Sequence, residues 1–346
     1  MMHISESDSY LLIPAFQKVS METSAAIGEL SNEIQQLLLN LPREKNLDGN
    51  PLCQYQGFWA QSKFIPAIIS FQRHFQAEDG DIILASFPKS GTTWLKALAF
   101  TIINRTRFPL QNSPLLTTNP HQLVPFLELN LYWKNQSPNL EDIPKPRILA
   151  THLPYASLPN SILNSGCRIV YVARNPRDQF ISLWKFLSSL QDQNKNLVSI
   201  EEAFEKICDG VQFYGPIWEH MLGYWKASQE NPEKVLFLKY EDMQENIIFN
   251  IKNLANFLGC AFSQVEETQG VVKEISKICS FENLKNLEVN KGGKYSEFGF
   301  YVFRNETFFR KGTVGDWRNY LTSSMSDCLE KILEEKLCGS GLSFKK

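Results

Sequence analysis

The chain lacks several features that would place it in large functional classes. It has no basic excess: 35 Lys and Arg stand against 37 Asp and Glu, for a net charge of −2. That argues against nucleic acid as a general partner, and any polyanion must be held by a local cluster of cations. No apolar run approaches the roughly 20 residues needed to span a bilayer. The N-terminal stretch carries Glu6 and Asp8 and no cationic start before an apolar core. It does not read as a secretory signal, and it is too poor in Arg for a transit peptide. The seven cysteines, Cys53, Cys167, Cys208, Cys260, Cys279, Cys328 and Cys338, are widely spaced and lack a C-x-x-C pair. They read as reduced thiols, not as a disulfide frame or zinc site. No His, Cys and carboxylate cluster has ligand spacing, so no metal is expected. These absences predict a cytoplasmic protein with neither a nucleic-acid nor a membrane partner. Hydrophobic residues make up 43% of the 346 positions, enough for a sizeable core.

What is present centres on Ser86-Phe87-Pro88-Lys89-Ser90-Gly91-Thr92-Thr93-Trp94. Before it, Asp81-Ile82-Ile83-Leu84-Ala85 reads as a fully buried strand; after it, residues 95–103 read as a helix. A strand, a tight turn and a helix N-terminus make an anion site, because the first helical N–H groups lack partners and the helix dipole favours negative charge there. Gly91 lets the backbone close on a phosphate, Thr92 and Thr93 offer hydroxyls, and Lys89 adds a mobile cation. The stretch is not G-x-x-x-x-G-K-[ST]: Lys89 precedes the only Gly, and no Gly opens the loop.

Along the rest of the chain, residues 1–25 read as an irregular N-terminus and 26–346 as one domain. Ile27, Leu30, Ile34, Leu37 and Leu38 recur at helical spacing up to Pro42. Residues 42–48 read as a charged turn, and 55–75 as an aromatic-rich segment and helix covering the sheet. Residues 106–140 read as loops and short helices, in which Phe126, Leu127, Tyr132 and Trp133 are candidates to wall an apolar pocket. Further buried strands are expected at 147–151, 168–173 and 235–238. Helices are expected from Pro176, over 243–258 before Gly259, over 265–278 and over 324–337. Residues 292–306 read as a mobile loop. Strands alternating with helices predict an α/β domain: a central, mainly parallel sheet flanked by helices. In such sheets ligands bind beyond the carboxyl ends of the strands, where the Ser86 loop, His152 and Arg174 all fall.

Arg174, directly after a strand and facing a helix N-terminus, suits a bidentate phosphate clamp, with structural pairing to Asp178 as the alternative. Ser182 lies eight residues on, about two helical turns, within reach of the same phosphate. In Arg310-Lys311-Gly312 two cations precede a Gly that permits close backbone approach. His152 alone among five histidines directly follows a buried-strand pattern and precedes a turn. Its titration range suits a base that takes a proton from a hydroxyl.

Pro88-Lys89-Ser90-Gly91-Thr92-Thr93-Trp94 resembles the 5′-phosphosulfate loop of the cytosolic sulfotransferases, which use 3′-phosphoadenosine 5′-phosphosulfate (PAPS). Arg310-Lys311-Gly312-Thr313-Val314-Gly315-Asp316-Trp317 resembles a second signature of that family, and the likeness runs over residues 55–343. Asn119-Pro120-His121, Pro125-Phe126-Leu127-Glu128 and Gly339-Ser340-Gly341-Leu342 look like the plant members. The resemblance implies a P-loop-like strand-loop-helix that binds phosphosulfate and transfers the sulfuryl group of PAPS to a hydroxyl. His152 matches the catalytic base, and Lys89 the group stabilising charge on the transferred and leaving oxygens. Lys89, Ser90, Gly91, Thr92 and Thr93 match the 5′ site, Arg174, Ser182, Arg310, Lys311 and Gly312 the 3′-phosphate site, and Trp94, Phe281 and Tyr240 the adenine platform. One departure stands out: many animal members carry Lys two residues before the catalytic His, where this chain has Ala150. The acceptor is expected to be a small, largely hydrophobic hydroxylated metabolite of flavonoid or phenolic, hydroxyjasmonate or steroid type. Of the family's dimer pattern only Thr322 is kept, which predicts a monomer or weak homodimer. A P-loop kinase or NTPase, and a non-catalytic nucleotide-binding protein on the same fold, are the competing readings.

Overall fold

The computed structural model describes residues 24–190, 198–298 and 301–345. Most of the stretch expected to be irregular, residues 1–23, lies outside them. A helix at Ser24–Asn40 leads into a small antiparallel sheet of β1 (Arg43–Lys45), β2 (Pro51–Tyr55) and β3 (Phe58–Gln61). The expected charged turn at 42–48 therefore contains a strand. Arg-Glu-Lys has no apolar pattern, and its extended form is imposed by the ladder to β2, in which Arg43 pairs with Cys53 and Lys45 with Pro51.

The central sheet holds β4 (Ile82–Ser86), β5 (Ile148–Thr151), β6 (Arg168–Ala173) and β7 (Val235–Lys239) in the order β5-β4-β6-β7, every pair parallel. Side chains alternate between two cores, as the period of a strand requires. Ile83, Ala85, Leu149, Ile169 and Tyr171 pack with the helices Ile65–His74, Pro176–Leu190 and Ile217–Glu230. Ile82, Leu84, Ala150, Val170 and Val172 pack with Thr92–Asn104, Ile247–Phe257 and Val271–Ile278. Burial on both faces explains why these strands read as continuous apolar runs. A buried ion pair of Arg147 with Asp81, Nε to Oδ1 2.7 Å, joins the entries to β5 and β4.

Three expected elements differ. The helix over 243–258 is two, Tyr240–Glu245 and Ile247–Phe257. That over 265–278 is also two, Gln264–Thr268 and Val271–Ile278, parted by Gly270 at φ +77°. The expected mobile loop at 292–306 is a hairpin of β8 (Lys294–Phe298) and β9 (Tyr301–Arg304), followed by a helical turn at Asn305–Phe308. Aromatic residues at its strand positions outweigh the Gly and Asn around them.

Candidate active site

The loop after β4 turns through two residues in the left-handed region, Lys89 at φ +67° and Gly91 at φ +110°. A Cβ on Gly91 would come within 2.7 Å of Tyr240 Cδ2, so glycine is required by both conformation and space. Thr92 opens the helix Thr92–Asn104, whose first N–H groups face the loop. Gln179 Nε2 donates to the Pro88 carbonyl at 2.9 Å, and the Ser86 and Thr92 hydroxyls lie 2.6 Å apart. Ser90 Oγ is buried with no hydrogen-bond partner.

His152 follows β5. Its Nδ1 lies 2.7 Å from the Ser86 carbonyl oxygen. A carbonyl can only accept, so Nδ1 carries the hydrogen and Nε2 carries the lone pair. The His152 backbone N–H donates to Glu128 Oε1 at 2.7 Å, and His220 Nε2 lies 2.9 Å from the His152 carbonyl. Phe126 packs on one side of the imidazole with ring centroids 4.5 Å apart. Burial pulls the His152 pKa down to about 3, against the Ser86 carbonyl and helped by Lys96, His220 and Lys89; this is below the near-neutral range expected from the sequence, and the ring is neutral at ordinary pH. Glu128 is fully buried, which pushes its carboxyl pKa up, and it also accepts from the Tyr214 hydroxyl at 3.3 Å.

The cations converge. Lys89 Nζ lies 3.9 Å from the Phe186 ring centroid. Burial, with Arg174 and Arg310 nearby, lowers its pKa to about 7. Arg174 donates to the Thr313 carbonyl at 2.9 Å and stacks over Tyr240 at 4.7 Å, while its Nε has no partner. Asp178 is not its partner: that carboxylate accepts the Gly315 N–H at 2.7 Å and the Trp317 N–H at 3.0 Å. Arg310 and Lys311 both pair with Asp316, at 2.6 and 2.7 Å. These and Asn319 hold the Asp316 pKa down to about 2 against the opposing effect of burial. The Tyr240 hydroxyl donates to the Gly312 carbonyl at 3.0 Å. Gly312 sits at φ +69°, where a Cβ would meet Phe281 Cδ2 at 2.4 Å. Trp94 meets Tyr240 edge-on, with centroids 5.4 Å apart.

These groups face one cavity of about 650 Å³. Lys89, Gly91, Thr92, Thr93, Trp94, His152, Arg174, Ser182, Tyr240, Phe281, Arg310, Lys311 and Gly312 all line it; Ser90 lies behind the loop and does not. Its apolar part is walled by Phe64, Phe126, Leu129, Phe186, Phe213 and the hairpin residues Tyr295 and Phe303. Of the four expected wall residues only Phe126 takes part. Leu127 is fully buried, Tyr132 packs on Phe71 and Trp133 on Phe64, with centroids 5.6 and 4.6 Å apart. Reasoning from sequence missed Lys96, His121, Glu128 and His220. Each is a polar side chain inside an apolar environment, and Lys96 in Leu95-Lys96-Ala97-Leu98 was the one visible signal. Among the described residues no three His, Cys, Asp or Glu side chains gather as a metal site, and no helix is long and apolar enough to cross a membrane.

Comparison with known proteins agrees with this geometry. Residues 79–341 match the family model of the sulfotransferase domain. Cytosolic sulfotransferase 15 of Arabidopsis thaliana is 49% identical over 320 residues, covering 91% of this chain and 88% of that one. Cytosolic sulfotransferase 14 of the same plant is 49% identical, covering 91% and 92%. Among solved structures, a putative steroid sulphotransferase of Arabidopsis thaliana superposes with a TM-score of 0.73 at 38% identity, covering 96% of this chain and 99% of that one. A mouse sulfotransferase complexed with PAP superposes with a TM-score of 0.65 at 26% identity, covering 84% and 96%. Two signatures, one parallel sheet and near-complete coverage agree: the chain belongs to the sulfotransferase family, in its plant cytosolic branch.

Proposed function

We propose that this enzyme uses PAPS to sulfate a hydroxyl of a small, largely hydrophobic metabolite, with His152 as general base. The observation that carries the reading is the His152 tautomer: Nδ1 donates to the Ser86 carbonyl at 2.7 Å, which leaves the Nε2 lone pair to take a proton. When bound, PAPS supplies an electrophilic sulfuryl group on a phosphate leaving group. The fit to it rests on the buried, unpartnered Arg174 Nε, on Gly91 and Gly312 where no Cβ has room, and on the convergent cations.

In this reading His152 Nε2 accepts the hydroxyl proton, and the Ser86 carbonyl stabilises the resulting imidazolium through Nδ1–H. Lys89 and the first N–H groups of the helix Thr92–Asn104 hold the negative charge of the transferred and leaving oxygens. Arg174, Ser182, Arg310 and Lys311 hold the 3′-phosphate; Trp94, Tyr240 and Phe281 enclose the adenine. The aromatic wall favours a flavonoid or phenolic, hydroxyjasmonate or steroid acceptor. Monomer or weak homodimer remains the proposed assembly, on the Thr322 pattern.

The test is transfer from radiolabelled PAPS to a panel of hydroxylated metabolites, with and without EDTA. His152→Ala is expected to lower turnover by roughly 10²–10⁴-fold while PAP binding, followed calorimetrically, stays near the wild-type value. Equal loss of both refutes the assignment of the base.

A further inference from the structure

The strand position two residues before His152 holds Ala150 and no cation. Ala150 is fully buried there, its N–H donating to the Pro125 carbonyl at 2.9 Å, and Phe126 bridges to it. A buried lysine stands nearby on a different element. Lys96, fully buried on the helix Thr92–Asn104, places Nζ 3.3 Å from the Phe126 ring centroid. Among the described residues it forms no ion pair. Phe126 in turn packs on His152, so the ring stands between the ammonium and the imidazole. The polar outlet of Lys96 runs elsewhere: Nζ lies 3.1 Å from His121 Nδ1, and His121 Nε2 lies 2.9 Å from Thr93 Oγ1.

We infer that Lys96 and His121 are positioning residues that aim the Thr93 hydroxyl hydrogen into the anion cradle. This rests on the proposed PAPS site. An ammonium has only donors to offer. Lys96 donating to Nδ1 fixes the His121 hydrogen on Nε2. That N–H donates to Thr93 Oγ1, and the Thr93 hydrogen is left to face the cavity that Thr93 lines. The opposite polarity, with Nδ1 donating to a neutral amine, would draw the Thr93 hydrogen onto Nε2 and turn a lone pair toward the anion. Burial drives the Lys96 pKa well below its ordinary range, so both arrangements are open to the free enzyme; an anion in the cradle selects the first, and the charge of Lys96 reaches it through three hydrogen bonds, the last from the Thr93 hydroxyl.

The ring of His121 is held for this role. Its backbone N–H donates to Asn119 Oδ1 at 2.9 Å, and Asn119 Nδ2 donates to Asn290 Oδ1 at 2.8 Å. Phe126 stacks at 21° and 5.6 Å, and Phe308 lies at 4.2 Å. Lys96 is fully buried, and His121, although it borders the cavity, is itself buried.

Two measurements test the relay. Long-range proton–nitrogen correlation on enzyme labelled with nitrogen-15 histidine and saturated with PAP should show His121 protonated at Nε2 with Nδ1 bare; a hydrogen on Nδ1 overturns the relay. A mutant cycle adds Thr93→Ala, Lys96→Met and His121→Phe, read as the PAP dissociation constant and kcat. Each single change is expected to weaken PAP binding about 10–100-fold, the scale of a hydrogen bond to a charged group. Lys96→Met or His121→Phe should add less than about threefold in the Thr93→Ala background, since the hydroxyl they aim is gone. Multiplying losses would make their role structural and overturn the inference. Where Lys96→Met fails to fold, the wild-type tautomer decides. If the wild type does not bind PAP, the proposed site falls and the relay with it; if it binds PAP and the cycle shows no coupling, the relay alone falls.

Discussion

Gly312→Ala separates backbone strain from loss of space. Gly312 sits at φ +69°, and a Cβ there would come within 2.4 Å of Phe281 Cδ2. The left-handed conformation costs a non-glycine residue roughly 1–2 kcal/mol. Restoring ordinary van der Waals contact, 3.4 Å, requires the proposed adenine platform or the loop to move by about 1 Å. Base–aromatic stacking is worth roughly 1–3 kcal/mol, so losing much of it predicts PAP affinity down about tenfold to a hundredfold. Gly270→Ala is the matched control: φ is +77° and no atom lies within 4 Å of the added Cβ. It should lower the unfolding free energy by a similar roughly 1–2 kcal/mol and leave PAP binding unchanged. Calorimetric titration and thermal melts of both variants measure the two effects. A folded Gly312→Ala enzyme with wild-type affinity for PAP would refute the placement of Phe281 against the nucleotide.

Two further outcomes follow from the electrostatics. Lys89 in the free enzyme has its pKa lowered to about 7 from 10.5, so the ammonium that an anion needs is present below pH 7 and is lost as pH rises through it. PAP binding should therefore weaken above pH 7 with uptake of a proton, read from the buffer dependence of the binding heat. The same shift means that the unfolded chain holds a proton the folded one lacks between about pH 7 and 10.5, so this group's contribution to stability rises with pH across that window. Lys89→Arg should abolish the proton uptake; a pH-independent wild-type affinity would refute the assignment. Asp178→Asn replaces a carboxylate that accepts two backbone N–H groups with an amide that can accept at one atom only. Its expected effect is a roughly 10–100-fold loss of PAP affinity although Asp178 does not line the main cavity; unchanged affinity would show that the 310–317 loop holds its shape without it.

The loop after β4 and the four central strands were legible because each is local: a buried strand reads as an apolar run, and Gly91 with its hydroxyl neighbours declares a turn into a helix. His152 was legible for the same reason, standing alone at a strand end. What supports it was not. Glu128, His220 and Lys96 act across 24, 68 and 25 residues of sequence, on His152, His152 and His121 respectively. A polar residue inside an apolar stretch gives no sign of which distant group it will meet. The β8–β9 hairpin was hidden by its Gly and Asn neighbours, and β1 carries no strand signal because its conformation is borrowed from β2. The pairing left open for Arg174 turned on Asp178, whose actual partners are backbone N–H groups at Gly315 and Trp317, and backbone groups leave no mark in a sequence.

Those backbone contacts explain how a loop near the C-terminus comes to complete a cradle begun at Ser86. β4, β5, β6 and β7 end side by side, and each delivers a group to one cavity: the Ser86 loop, His152, Arg174 and Tyr240. The last two also reach across to the 310–317 loop. Arg174 donates to the Thr313 carbonyl, Asp178 accepts from Gly315 and Trp317, and Tyr240 and Gln244 both donate to the Gly312 carbonyl, at 3.0 and 2.8 Å. Four side chains thus fix the backbone that presents Arg310 and Lys311, while Asp316 fixes their heads. With main-chain positions set by the ends of β6 and β7, the two cations need only small side-chain movements to meet an anion, and little ordering entropy is left to be lost on binding. The sheet therefore does more than carry the first loop: through its strand ends it sets the register of the last one.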